Sequence, residues 1–300
     1  MKNTKIKTEL GNVYRSDFEG FAQYTDFLKS VEFSNKRNEA EFKEIRDMGL
    51  TEDSRKFKRN FHGTDSREEV LNMVSYIDPD ALAKLKMQMS AQIEAQPVQD
   101  IRKKVRFSRR GEFSPDRYFA GDNRKCFMKR DKSKKVSPSV TVYISTGYNA
   151  GVRAKDGLYN ALAGVVFVEL LQKAGYHVTV FTTEISRSSS FSDSDGIEYL
   201  INCVQAKGEN RYLDADTLAI LASDPRHFRY YGFLGIPASS EIHGLDCPYG
   251  LGSAPKKSEM IDVMQKAGYE FDFFFGGSTS FDQSLTELKQ ALQNVNAKFD

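Results

Sequence analysis

The chain has 300 residues and a formal net charge of +2, with 40% hydrophobic and 28% charged residues, a balance that builds a globular core and excludes a disordered polyelectrolyte. No run approaches the ~20 apolar residues of a membrane span, and the basic start Met1–Lys7 leads into no apolar segment, which excludes a secretory signal and a membrane role. Cys126, Cys203 and Cys247 are widely spaced and outside any CxxC pattern, so free thiols in a reducing, cytoplasmic setting are expected.

In chain order, Ser16 is placed to N-cap a helix carrying Phe18, Phe21, Tyr24, Phe27, Leu28 and Val31 at near-helical spacing. A short helix over Glu39–Met48 ends at Gly49. Ser66 and Glu69 form a capping box for a helix to Tyr76. Asp78-Pro79 opens the next, with Leu82, Leu85, Met89 and Ile93 on one face and Pro97 as its stop. Residues 1–96 therefore read as a helical N-terminal region.

Residues 97–135 change character. Lys104–Ser108 alternates as a half-buried strand does, and Cys126–Met128 is a second short strand. From 101 to 135 there are 14 Lys/Arg against 4 Asp/Glu, a local charge of +10 that leaves the rest of the chain at −8. Such a block marks a polyanion partner or a solvated pair of strands. On the first reading Arg102, Lys103, Lys104, Arg106, Arg109, Arg110, Lys134 and Lys135 hold phosphates while Phe107, Phe113, Tyr118, Phe119 and Phe127 stack bases. On the second those rings are core positions of the strands. No recognised nucleic-acid module is readable.

Residues 136–300 carry the fold signal. Val140–Ile144 is a buried-type strand, a helix runs over Asp156–Lys173 to the C-cap Gly175, and His177–Phe181 is the next strand. Strand, long helix and strand predict a right-handed crossover in a parallel sheet. Beyond a Ser/Asp-rich loop at Ser186–Gly196, the pattern predicts a strand at Glu198–Val204 and helices at Asp214–Ala222 and from Asp224. A Gly/Pro-rich loop over 235–256, a helix at Lys257–Ala267, a strand at Tyr269–Phe275 and a closing helix at Phe281–Lys298 follow. Residues 97–300 are thus one α/β domain, entered through the basic segment 97–135.

Four motifs carry a resemblance: Phe61-His62-Gly63-Thr64 before a capped helix, Tyr118-x-x-Gly121 before a short strand, the Ala174-Gly175-Tyr176 helix end, and Asp224-Pro225-Arg226-His227-Phe228-Arg229. Through them residues 58–245 resemble an uncharacterised phage protein family. The element order over 140–300 resembles the von Willebrand factor A-like α/β layer. The resemblance implies a Rossmann-like sheet with helices on both faces. It also implies a divalent-cation loop of DxSxS form at the end of the first strand, whose matching positions here are Ser145, Gly147 and Asn149. Asp is replaced by Ser, and the two Ser by Gly and Asn. A hard cation wants carboxylate oxygens, and Ser145, Thr146 and Asn149 offer only neutral ones. The metal site is degenerate and no cofactor is expected.

Thr146, Gly147, Asn149, Gly151 and Arg153 precede a helix N-terminus, where an anion can be cradled. They match neither GxGxxG nor a P-loop, so a flexible loop is the competing reading. Glu241, His243, Asp246 and Cys247 include zinc-ligand types but lack paired spacing, which favours a structural loop. No GxSxG or Cys/His signature is present. His177 reads as a core residue, and His227 lies between Arg226 and Arg229. The expected role is that of a non-enzymatic binding or assembly protein of phage or mobile-element type, in the host cytoplasm or a virion. Its partner protein would contact Ser145, Thr146, Gly147, Asn149, Arg153, Arg226, His227 and Arg229. The alternatives are a nucleic-acid-binding protein using 102–135, or a hydrolase or transferase using His227 or His243.

Overall fold

A computed structural model describes residues 1–47, 79–93, 105–108, 112–119, 121, 126–130, 138–149, 151–189, 196–208 and 227–299. A six-stranded sheet organises it, built from β1 (Lys2–Thr8), β2 (Gly11–Phe18), β6 (Ser139–Ser145), β7 (His177–Ser189), β8 (Ile197–Lys207) and β9 (Phe273–Phe275) in the order β1-β2-β8-β7-β6-β9. β6 is parallel to both β7 and β9, β2 is parallel to β8, and the β7–β8 and β1–β2 pairs are antiparallel. A second, three-stranded antiparallel sheet has the order β3-β5-β4, from β3 (Val105–Ser108), β4 (Glu112–Phe113) and β5 (Phe127–Arg130).

Strand alternation sends side chains to two covered faces. Val140, Val142 and Ile144 of β6 pack with Leu162, Val166 and Phe167 of α5 (Ala154–Ala174) and with Leu288 and Leu292 of α8 (Phe281–Phe299). Met89 of α3 (Pro79–Ile93) joins this cluster. Farther along the same face, Val204 of β8 meets Tyr24 and Leu28 of α1 (Phe21–Ser30), Phe42 of α2 (Lys36–Asp47) and Leu234 of α6 (Phe233–Ile242). On the opposite face Tyr143, Phe274, Ile185 and Ile201 pack against Met260, Val263 and Met264 of α7 (Lys257–Lys266). Each fully buried Leu, Val or Phe here contributes about 1.5–3 kcal/mol. Strands buried on both faces read as near-continuous apolar runs, which is why Val140–Ile144 was legible. The helix α5 ends as its sequence predicts: Gly175 takes φ 97°, and the Tyr176 N–H donates to the Leu171 carbonyl at 3.0 Å. No described helix is long and apolar enough to cross a membrane.

Several expectations are corrected. The N-terminal region is not wholly helical: residues 2–18 form a β-hairpin whose second strand joins the main sheet. Ser16 caps nothing; it sits in β2 opposite Asn202, and α1 begins at Phe21. Phe18 lies at helical spacing to Phe21, yet pairing with β8 buries it as a strand residue; tertiary context overrides local periodicity. The expected loop over 235–256 begins as a helix. A π-turn at His227–Gly232 leads into α6, which contains Pro237, and Leu234–Ser240 are all buried. Burial outweighs the loss of one helical N–H at Pro237. The expected loop from Ser186 is strand as far as Ser189, because β7 continues its ladder with β8. The expected strand at Tyr269–Phe275 shrinks to Phe273–Phe275. His177 is exposed rather than in the core, at the first position of β7 opposite exposed Ser139. The helices expected at 66–76 and 214–222 lie outside the described residues.

Cys126, Cys203 and Cys247 are all buried. Burial pushes the Cys247 thiol up to about 12 and the Cys203 thiol higher still. Thiolate is the reactive form, so a disulfide-exchange reagent should titrate neither Cys203 nor Cys247 quickly in the native protein and both after denaturation. Rapid reaction of either native thiol would contradict this packing.

Candidate functional site

The C-terminal end of β6 is where the chain gathers polar and glycine-rich segments from distant positions. Thr146 is tied to β7: its N–H donates to the Thr183 carbonyl at 2.9 Å and its hydroxyl to the same oxygen at 3.3 Å. Asn149 Oδ1 accepts the Ala254 N–H at 2.9 Å. The Arg229 guanidinium lies 4.9 Å from the Tyr148 ring centroid and donates to the Val152 carbonyl. Burial pulls Arg229 below its ordinary pKa, with Tyr148 acting in the opposite direction. The 145–153 loop and the 227–254 segment are therefore joined into one structure.

Between them runs a cleft of ≈ 50 Å³, rimmed by Gly147–Asn149 and Gly250–Ala254 and floored by Glu184, Ile185 and Ser186. That volume holds a few waters or one small polar group, far less than the several hundred Å³ of a nucleotide pocket. Glu184 is 6% exposed, and its Oε2 has no hydrogen-bond partner. Burial pushes its carboxyl up to about 8, against the opposing hydrogen bond with Asn202. Its burial in β7 favours the protonated form. Asn202 in turn accepts from the Ser239 hydroxyl of α6 at 2.6 Å.

On the other flank of β6 the end of β9 turns through Gly276 and Gly277. Asn160 of α5 donates to the Ser145 carbonyl at 2.7 Å and accepts the Gly277 N–H. Glu287 of α8 accepts from the Gly276 N–H and from the Ser278 hydroxyl, both at 3.1 Å, and pairs with Lys257 of α7. Backbone N–H groups beside a lysine make an anion cradle; here the chain's own Glu287 carboxylate fills it.

The residues expected on an interaction surface divide. Gly147, Asn149 and Arg153 rim the loop, with Asn149 and Arg153 exposed and Arg153 paired to Asp156 at 2.6 Å. Ser145, Thr146 and Arg229 are buried and support the loop from beneath, because the β6 and β7 ladders and the Tyr148 ring enclose them. They do not contact solvent as a surface residue must. His227 opens the π-turn, its side chain lying outside the described residues, as does all of Arg226. Arg106 is on β3; Arg102, Lys103, Lys104, Arg109, Arg110, Lys134 and Lys135 lie outside the described residues.

The group Glu241, His243, Asp246 and Cys247 is taken up in structural bonds. Glu241 accepts from the Ser34 N–H at 2.7 Å and from Asn38 Nδ2 at 2.9 Å; desolvation pushes it up, but its hydrogen bonds with Ser34, Asn35 and Asn38 together hold it below its ordinary value. His243 Nε2 lies 3.2 Å from the Ser16 hydroxyl, and the Cys247 N–H donates to Asn38 at 2.7 Å. Among the described residues no three His, Cys, Asp or Glu side chains converge as metal ligands.

Sequence reasoning missed Glu184, Asn160 and Glu287. Glu184 left a signal, a carboxyl inside the otherwise uncharged run His177–Ser186. Asn160 and Glu287 left none, since their partners are backbone groups of remote loops.

No curated protein and no solved structure matches the chain. A family model described as a domain of unknown function (DUF7192) matches residues 2–296, which spans both sheets and the described helices up to the last turn of α8, and the chain belongs to that family.

Proposed function

We propose that this is a non-enzymatic binding or assembly protein of phage or mobile-element type, acting in the host cytoplasm, whose partner protein docks on the strand-end face. The observation that carries the reading is the fusion of the 145–153 loop with the 249–254 turn through the Asn149–Ala254 bond. Tyr249 stands on that rim at 81% exposed. Arg229 donates to the Val152 carbonyl and Asn160 to the Ser145 carbonyl of the same loop, so a partner meets a preorganised surface and loses little ordering entropy on binding. An exposed tyrosine on a rigid rim is a favoured binding anchor. The β6–α5–β7 crossover supports the von Willebrand factor A-like reading of the layer, and the neutral oxygens of its first loop support recognition without a bridging cation.

The test is site-specific photo-crosslinking in cells that express the protein. A photoreactive residue at Tyr249 should yield a discrete protein adduct; the same residue at Lys173, exposed at the far end of α5, should yield none. Tyr249→Ala should then reduce recovery of that partner by tenfold or more, about 1–3 kcal/mol of anchor energy. Equal adducts at both positions would defeat the reading.

A further inference from the structure

A second hollow lies on the sheet face that carries α7. Strand register sets Tyr143 of β6 beside Phe181 of β7, and Cys203 of β8 beside Asp17 of β2. The Tyr143 and Phe181 rings stack, with centroids 4.7 Å apart and planes 14° from parallel. Gly268, Tyr269 and Glu270, the turn after α7, complete the wall with Arg15, whose guanidinium lies 3.8 Å from the Tyr269 ring centroid. The pocket so enclosed has a volume of ≈ 340 Å³, within the range of small-molecule sites. Its polar groups are largely engaged by the protein. Arg15 Nη1 donates to the Ala267 carbonyl at 2.5 Å and Nη2 to Asp17 at 2.8 Å, while Nε is buried without a partner. Asp17 Oδ1 accepts from the Tyr269 hydroxyl at 2.6 Å. Burial raises the Tyr143 and Tyr269 hydroxyls and the Cys203 thiol well above their ordinary values, so all three are neutral. The charge of the pocket is therefore one guanidinium against two carboxylates, Asp17 and Glu270.

We infer that this pocket takes a quaternary ammonium group, with the half-buried Phe181 ring against the cation and Asp17 and Glu270 supplying the countercharge. Aromatic faces attract cations, most strongly where water is displaced. The stack of Arg15 on Tyr269 is already such a contact within the same pocket. A quaternary cation has no N–H, so it needs ring faces and negative charge and no vacant acceptor. A primary ammonium would bring N–H groups whose burial costs free energy unless each is bonded, and both Asp17 oxygens already accept a bond. An anion would meet the excess of carboxylate and an engaged guanidinium. The pocket shares no residue with the strand-end cleft, so either reading can fail without the other.

Isothermal titration calorimetry of the full-length protein compares choline, the uncharged alcohol in which carbon replaces the choline nitrogen, N-acetyl-trimethyllysine amide and benzoate. Choline should saturate the protein at millimolar concentration, and the uncharged isostere should bind about tenfold more weakly, the scale of a desolvated cation–π contact. Phe181→Leu, which keeps apolar bulk and removes the ring, should weaken choline about tenfold. Glu270→Gln, at an exposed position, should weaken it about twofold, as for one partly screened charge. Unchanged circular dichroism and melting establish that both variants fold. Tighter binding of the trimethyllysine amide than of choline would identify a methylated side chain as the source of the group, and the reverse a free alkylammonium compound. The proposal is overturned by equal binding of choline and its isostere, by preference for benzoate, by no saturable choline binding, or by a folded Phe181→Leu variant with wild-type affinity.

Discussion

Gly276→Ala is expected to destabilise the protein by about 3 kcal/mol or more, the range for overpacking combined with backbone strain. Gly276 follows β9 with φ 148°, a conformation that L side chains rarely adopt, and an added Cβ would stand 2.6 Å from the buried Ser145 Cβ. Neither side yields easily. Ser145 is held in register opposite Thr183 on β7, and the Gly276 N–H is bonded to Glu287. Separating the two strand ends would also strain the Asn160 bridge between Ser145 and Gly277. Urea titrations of the two single variants and the double variant Ser145→Gly/Gly276→Ala check this. Removing the Ser145 Cβ should recover part of the loss, with a coupling of about 1 kcal/mol or more. Strict additivity would mean that the contact is not the cause, and a Gly276→Ala variant as stable as wild type would refute the geometry of this strand end.

Glu184→Gln is expected to stabilise the protein at pH 7 by about 3 kcal/mol, the linkage value for a carboxyl raised from its ordinary 4.5 to about 8. The folded chain keeps a proton on Glu184 between those values, where the unfolded chain has released it. Its contribution is therefore present in full below the ordinary carboxylate value and is lost as pH rises through about 8. Glutamine has the same shape, can retain the hydrogen bond to Asn202 and does not titrate. Urea titrations at pH 5 and pH 8 should show wild type losing stability relative to the variant, with the curves converging at the lower pH. Parallel profiles would mean that Glu184 is charged in the folded state and paired by a group other than Asn202. The buried acid also bears on the strand-end face. A neutral carboxyl on the cleft floor can donate a hydrogen bond, so occupancy of the cleft should depend on pH through this one residue.

The amino-acid sequence by itself determined the elements whose burial is uniform or whose ends are chemically marked. Val140–Ile144, the long apolar helix ending at Gly175, the helix from Lys257 and the closing helix from Phe281 all form where their patterns place them. A strand covered on both faces, or a helix with a left-handed glycine cap, needs no knowledge of its neighbours to be recognised. The tertiary structure alone decided what depended on a remote partner. Lys2–Thr8 has little apolar character, as suits an edge strand, and becomes a strand by pairing with β2; Gly11–Phe18 becomes one by pairing with β8, nearly two hundred residues away in the chain. The segment around Pro237 reads as loop and is helix because it is enclosed. The site followed the same division. The glycines and neutral oxygens of 145–149 marked a strand-end loop; the contact of Arg229 with Tyr148 and Val152 follows from packing. That Ser145, Thr146 and Arg229 face inward, that Glu184 floors the cleft, and that Phe113 and, on α4 (Pro115–Phe119), Tyr118 and Phe119 face water follow from packing. Periodicity reports that one face of an element is buried; only the neighbours' positions decide which face it is.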